Sequence, residues 1–408
     1  LKKELAALGK LRAGSLGKDR IPQEKTGYRI WVIRCSLRYY WKQRGSDWIE
    51  ARSMERVRLE DVGERGSSNL AQKDIEGAAG EYPVYGASGY IGSAGFYHQE
   101  KAYVAVVKDG AGVGRTMLLP GRSSVIGTLQ YIIPKENILP EYLYYAVKNM
   151  KLARYYTGAT IPHIYYKDYK KEVFWLPDLA EQRRVVGILE NVGKIIDEQQ
   201  QELLELDQLI QSRFREMFGD PVKNEKGFPV YKMCDIVEFQ GGSQPDKTCF
   251  EYEPTEDNIR LIQIRDYKTD KYITYIPKEK ARRFCTADDI MIGRYGPPIF
   301  QILQGIEGAY NVALMKAVPK RGRKEFIRQF LKQDCLLYYL EGMAKRTAGQ
   351  DGIQMDRLKE YPFPLPQESL QISFETFKLQ VDKWKAEGQQ QLEKIQILFD
   401  SLMQQYFG

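Results

Sequence analysis

Histidine is nearly absent from this chain: two in 408 residues, His98 and His163. General acid–base catalysis by imidazole is confined to those positions, and neither has an evident serine or cysteine partner nearby. Cysteine is scarce and scattered. The five thiols (Cys35, Cys234, Cys249, Cys285 and Cys335) contain no Cys-x-x-Cys pair, so with two histidines no zinc cage can be written down. Their odd number and wide spacing fit buried thiols in a reducing cytoplasm. Apolar runs never reach the roughly 18 residues that a membrane-spanning helix needs, and the N-terminus lacks the apolar core and small-residue cleavage site of a secretory signal. A cytoplasmic protein without a membrane segment is expected. A net charge of +7 is too small to argue for nucleic acid until a basic patch is located. At roughly 100 to 200 residues per domain, the length predicts two or three domains.

What the chain does have is an internal repeat. An offset of 189 places Phe174-x-Leu176-Pro177 on Phe363-x-Leu365-Pro366, Gln200-Gln201 on Gln389-Gln390, Leu203 on Leu392, and Phe218-Gly219 on Phe407-Gly408. Upstream, Val57-Arg58-Leu59-Glu60-Asp61-Val62 resembles Tyr231-Lys232-Met233-Cys234-Asp235-Ile236 as the opening of a unit. The protein reads as two copies of a globular segment followed by a helix.

Each helix follows a Leu-Pro and runs without internal proline. In the first, Val185, Leu189, Val192, Ile196, Gln199, Leu203, Leu206 and Ile210 alternate spacings of 4 and 3, a heptad seam. The second repeats it through Phe374, Phe377, Val381, Trp384, Gly388, Gln391, Ile395, Leu398 and Leu402. A rod of roughly 58 Å at 1.5 Å per residue is too long to lie buried on one domain, so antiparallel pairing of the two is expected, Gln199 facing Gly388. The globular segments carry short Tyr/Val/Ile runs broken by turns: Tyr103–Val107 and 128–133 in the first, 290–292 and 312–318 in the second. Short helices are predicted over 140–151 and 325–341. The expected organisation is a basic N-terminal extension (1–53), a first α/β domain (54–177), a first spacer helix (178–221), a second α/β domain (222–366) and a second spacer helix (367–408). The fold class is α+β: two α/β domains separated by two long helices in an antiparallel coiled coil, with a pseudo-twofold internal repeat. Residues 1–53 match neither copy and begin with Leu, which favours an upstream misassigned start; a basic arm on the DNA backbone is the other reading.

Several strings imitate catalytic motifs. Gly110-Ala111-Gly112-Val113-Gly114-Arg115-Thr116 has the composition of a phosphate loop, but its spacing is wrong and arginine replaces the lysine. A turn between strands is expected. Gly296-Pro297-Pro298-Ile299 has glycine where an amino-methyltransferase needs a polar acceptor side chain, so methyl transfer is not expected of this chain. Asp178 with Glu181 mimics part of a nuclease site, but both lie at a helix start, where acidic side chains stabilise the dipole. A non-catalytic binding protein is expected.

Two α/β segments, each closed by Leu-Pro and a long heptad helix, together resemble the specificity subunit of type I restriction–modification systems. The resemblance covers about residues 54–408. Its most specific elements are Tyr82-Pro83-Val84-Tyr85-Gly86-Ala87-Ser88-Gly89-Tyr90-Ile91-Gly92, the following Lys108-Asp109-Gly110-Ala111, and Leu176-Pro177…Glu181-Gln182 at the first helix. The second helix departs from that pattern, with Leu370-Gln371 where Glu-Gln-Arg is expected. The resemblance implies two target-recognition domains, each reading one half of a bipartite sequence in double-stranded DNA. It also implies that the helices set the spacing and dock two methyltransferase subunits, with motor-endonuclease subunits joining, in phage defence. No cofactor is expected on this chain; S-adenosylmethionine, ATP and Mg are expected on the partners.

Candidate DNA-contacting residues follow from side-chain type and loop position: Lys108, Arg115, Arg122, Ser123, Thr128, His163 and Tyr166 in the first segment, and Arg265, Lys268, Arg294, Tyr310, Asn311 and Gln350 in the second. Arginine pairs with guanine and amides with adenine, while lysine and hydroxyls more often hold phosphates. The alternative reading is a coiled-coil adaptor that binds protein or glycan without DNA specificity. Charge distribution favours DNA weakly. Residues 1–53 hold 13 basic and 5 acidic side chains; the α/β segments have 15 against 13 and 24 against 20, and the helical parts 9 against 16. The heads are slightly positive and the spacer negative.

Overall fold

A computed structural model describes residues 55–77, 80–110, 112–158, 162–295, 299–344 and 353–408. The chain divides into two compact units, one comprising the residues up to Gln200 with Gln389–Gly408, the other Gln201–Gly388. Among the described residues no helix is long and apolar enough to cross a membrane.

The first unit runs β1 (Glu55–Arg58), α1 (Leu59–Val62), β2 (Gly63–Ser67), β3 (Tyr82–Gly86), β4 (Gly89–Ala94), β5 (Tyr103–Val107), β6 (Thr116–Leu119), β7 (Ser124–Val125), β8 (Leu129–Pro134), α2 (Pro140–Asn149), α3 (Tyr166–Tyr169), β9 (Val173–Leu176) and the part of α4 (Leu179–Phe218) up to Gln200. Its main sheet has the order β2-β8-β5-β6, a second has β4-β3-β7, and β1 pairs with β9. All five residues of β5 are buried, because both faces of its sheet are covered. Val104 and Val106 enter the core shared with α2 and the helices, while Tyr103, Ala105 and Val107 enter the core under the smaller sheet. That is the period-two alternation of a strand with apolar residues on both faces.

The second unit repeats this through β10 (Val230–Lys232), α5 (Met233–Ile236), β11 (Val237–Gly241), β12 (Asn258–Ile262), β13 (Tyr275–Pro277), β14 (Phe284–Cys285), β15 (Ile290–Gly293), β16 (Gln301–Gln304), β17 (Gly308–Tyr310), β18 (Leu314–Pro319), α6 (Lys324–Leu331), α7 (Asp334–Ala344), α8 (Met355–Glu360), β19 (Pro362–Pro364) and α9 (Glu368–Phe407). Its main sheet, β11-β18-β15-β16, has the topology of β2-β8-β5-β6, and β10 pairs with β19 as β1 does with β9. In each smaller sheet the central strand has one antiparallel and one parallel neighbour: β3 with β4 and β7, β12 with β13 and β17. The α+β repeat read from the sequence is therefore carried by the strands of both units, the second adding β14 beside β17.

Within each unit the long helices contribute an antiparallel pair of segments. In the second, Lys385 lies 2.5 Å from Asp207, Arg213 stands over the Phe377 ring at 5.7 Å, and Phe218 meets Phe374 at 5.6 Å. The number rises along α4 as it falls along α9. In the first, Val185, Leu189 and Val192 share a core with Ile395, Leu402 and Tyr406. The heptad seam residues are buried or half-buried, and Leu204 and Ile397 off the seam are exposed.

Two glutamines fasten the helices to their own units. Gln182 accepts the Leu139 amide at 2.8 Å, at the start of α2, and donates to the Asn137 and Pro177 carbonyls at 2.9 and 2.8 Å. Gln371 accepts the Arg323 amide at 2.7 Å, at the start of α6, and donates to Pro366 at 2.7 Å. The second helix thus keeps the glutamine of the first while its neighbours differ.

The helix expected over 325–341 is instead two, α6 and α7. The Gln333 side chain donates to the Gln329 carbonyl at 3.0 Å, occupying an acceptor that a continuing helix would use, and the Gln333 amide turns to Phe330. The Asp178–Glu181 pair does what a helix start asks: Asp178 accepts the Glu181 amide at 2.8 Å, and Glu181 pairs with Arg184.

The turn between β5 and β6 passes through Gly114 in the left-handed region (φ +83°), and a Cβ there would collide with the backbone of Ala153. Its counterpart before β16, Phe300, is left-handed too (φ +59°) and buried. Gly114→Ala should lower stability by about 1–3 kcal/mol, read as a drop in thermal midpoint.

Candidate nucleic-acid interface

In the first unit the candidates fall at opposite ends of β5. Val107 at its C-terminal end pairs with Leu129, and Tyr103 at its N-terminal end with Leu119. Lys108 follows Val107, and its amide donates to the Thr128 carbonyl at 3.0 Å. The glycine-rich turn folds back so that Gly114 donates to Val107 at 2.8 Å and Gly110 to Pro162 at 3.0 Å. Ile164 donates to Lys108, and His163 Nδ1 bonds the Asp109 carboxylate. Arg115 reaches the turn between β3 and β4, donating to the Ala87 carbonyl at 3.0 Å. Lys108, Arg115, Thr128 and His163 are thus brought together beside exposed Tyr90, Tyr156 and Tyr165. Lys167 stands over the Tyr165 ring at 5.1 Å. Basic side chains among exposed rings form a surface suited to phosphates and bases.

Two candidates here are corrected by packing. Tyr166 is half-buried, packed against the core and edge-on to Tyr169 at 5.4 Å, so that its neighbour Tyr165 is the more exposed ring. Ser123 is fully buried, its hydroxyl donating to the Pro120 carbonyl at 2.6 Å and pairing with the Tyr103 hydroxyl at 3.0 Å. Arg122 is exposed but belongs to the other end of β5. It donates to the Tyr82 hydroxyl at 2.7 Å and lies over the Tyr82 and Tyr97 rings at 5.0 and 5.6 Å.

The second unit builds the corresponding strand end. Arg294 follows β15, and its amide donates to the Ala313 carbonyl at 2.9 Å, the bond that Lys108 makes to Thr128. Its guanidinium lies over the exposed Tyr295 ring at 5.4 Å. Asn311, beside it, is buried, its amide bound to the Ile262 carbonyl and its side chain accepting the Ala313 amide at 3.1 Å, so it holds the turn and is corrected as a DNA contact. Gly293 abuts Ile264, so the exposed Arg265 and Lys268 rise on the neighbouring loop. Tyr310 is a further correction. It is 1% exposed, its hydroxyl donates to the Gln240 carbonyl at 3.2 Å, and burial pushes its pKa up to about 12. Gln350 lies outside the described residues, as does Gly296-Pro297-Pro298. Sequence reasoning missed Arg282 and Arg283, exposed next to Phe284; the doublet beside an aromatic was the available signal.

Residues 52–208 match the family of the type I restriction modification DNA specificity domain. Over that stretch the chain is similar to type I specificity domains. The resemblance read from the residues is thereby borne out, and the matched stretch includes the glycine-rich turn, the Leu-Pro and most of α4. The chain is similar to the type I restriction enzyme MjaIX specificity subunit of Methanocaldococcus jannaschii, 24% identical over 35% of this chain; the match spans 41% of that subunit's length. Among solved structures, the fold resembles the type I restriction-modification S subunit from M. genitalium (TM-score 0.52, 12% identity, 89% of this chain and 98% of that one). It also resembles a chain from a study of complex assembly and conformational transition in the type I R-M system (TM-score 0.52, 15% identity, 86% and 97%). Those two likenesses extend the specificity-subunit fold across both units.

Proposed function

We propose that this chain is the non-catalytic, sequence-specific DNA-binding subunit of a type I restriction–modification complex, each unit reading one half of a bipartite target. One observation carries the reading: Lys108 and Arg294, picked separately as DNA contacts, occupy the same strand end of the same sheet in the two units and make the same backbone bond. Two copies of one reader with different side chains at the reading position recognise two different short sequences. The helical segments α4 and α9 set the spacing of the half-sites and dock two methyltransferase subunits, with motor-endonuclease subunits joining the assembly in the cytoplasm. S-adenosylmethionine, ATP and Mg belong to those partners.

Salt dependence tests this reading. Binding of the full chain with methyltransferase subunits to duplex DNA should weaken about a thousandfold between 50 and 200 mM salt, because phosphate contacts release counterions. Absent or salt-insensitive binding in a gel-shift titration would favour an adaptor.

A further inference from the structure

In the first unit β3 and β4 are joined by Ala87 and Ser88 alone, whereas the equivalent strands β12 and β13 are joined by residues 263–274. The outside of this insertion is basic. Arg265, Lys268 and Lys271 are exposed, with the Tyr272 ring 5.7 Å from the Arg265 guanidinium and 5.4 Å from the Lys271 ammonium. The inside holds a carboxylate. The Asp266 side chain is wholly buried, its Oδ2 accepts the Gln263 amide at 3.2 Å, and its Oδ1 has no hydrogen-bond partner among the described residues. Arg260, on β12, sets its guanidinium 3.8 Å from Asp266 and 3.4 Å from Asp270, linking the loop's two short turns. At the far end Gln263 and Arg265 both donate to Thr274 Oγ1 at 3.1 Å, and Thr274 donates to the Tyr272 carbonyl.

We propose that 263–274 is a specificity-determining loop of the second unit, and that Asp266 positions it by fixing Arg260 and the first turn so that Arg265, Lys268 and Lys271 meet DNA in one arrangement. This rests on the DNA-reading function above. Stability alone does not account for the carboxylate. Burial raises its pKa above the ordinary 3.8, outweighing the Gln263 amide, Arg260 and Arg265, with Asp270 adding to the rise. The folded state therefore favours the neutral form, and the charge opposes folding increasingly as pH rises from 3.8 through the raised value. What the charged form fixes is the placement of Arg260 and the loop.

The test is selection of bound sequences from randomised duplexes by the full chain, with Asp266→Asn and Arg265→Ala as variants. Asp266→Asn should melt no lower than wild type, keep the preference in the half-site read by the first unit, and lose about tenfold of the preference in the other. On acidification from neutrality through the raised pKa of Asp266, the wild-type preference in that half should decline while the variant's stays flat, since the variant has no charge to lose. Arg265→Ala, on the exposed face, should weaken the same half only. Unchanged preference in both variants, coincident pH profiles, or equal loss in both halves would overturn the proposal. A wild-type chain with no sequence preference would overturn the DNA-reading function itself, and the loop's role with it.

Discussion

Replacing Gln182 with leucine should destabilise the first unit by about 3–5 kcal/mol, since one substitution strips hydrogen bonds from the Leu139 amide and from the carbonyls of Asn137 and Pro177. Leucine fills similar volume, so the loss reports the polar groups rather than a cavity. Gln182 is fully buried, and the stranded groups next to it gain little from water. Gln371→Leu should cost the second unit less, about 2–3 kcal/mol, because among the described residues its side chain serves two partners, Arg323 and Pro366, against three for Gln182. Urea titration of the full-length variants measures both. Costs below about 1 kcal/mol for Gln182→Leu, or a larger cost for Gln371→Leu, would refute the fastening role.

The second large effect concerns recognition. Arg294→Ala should lower discrimination in the half-site read by the second unit by about 1–3 kcal/mol and leave the other half intact. The guanidinium lies over an exposed tyrosine at a strand end, and its one long bond, 3.4 Å to the Val312 carbonyl, is weak enough for a base edge to replace. Lys108→Ala differs in kind: a lysine that holds phosphate contributes to every sequence alike, so affinity should fall uniformly and the salt slope by about one. Competition binding against duplexes altered in one half at a time separates the two. Loss of both halves in Arg294→Ala would indicate damage to the fold instead.

The large features were legible because they are periodic. A constant offset of 189 joins the stretches around both Leu-Pro pairs and helices, where chain lengths agree, and the seam from Val185 to Ile210 is spaced for a helix. The offset falls upstream from 189 to 174, where Val57 aligns with Tyr231, and the insertion at 263–274 between β12 and β13, twelve residues against two, supplies ten of those fifteen. The Gln371 fastening was hidden because Glu181 and Arg183 have become Leu370 and Ile372 around it. Candidate residues were the least legible. Residue type marks Ser123 and Tyr310 as plausible DNA contacts, but whether a loop side chain turns out or in depends on partners distant in sequence, such as Tyr103 for the serine and Gln240 for the tyrosine. The Tyr165–Tyr166 pair makes the same point: two adjacent identical residues, of which packing against Tyr169 leaves only the first exposed.

The most direct test of the central claim is mapping of DNA methylation in cells that express this chain with its methyltransferase partners. Two units reading separately predict one motif of two short specified blocks at a fixed gap, and Arg294→Ala should change one block only. A single uninterrupted motif, or methylation independent of this chain, would contradict the account.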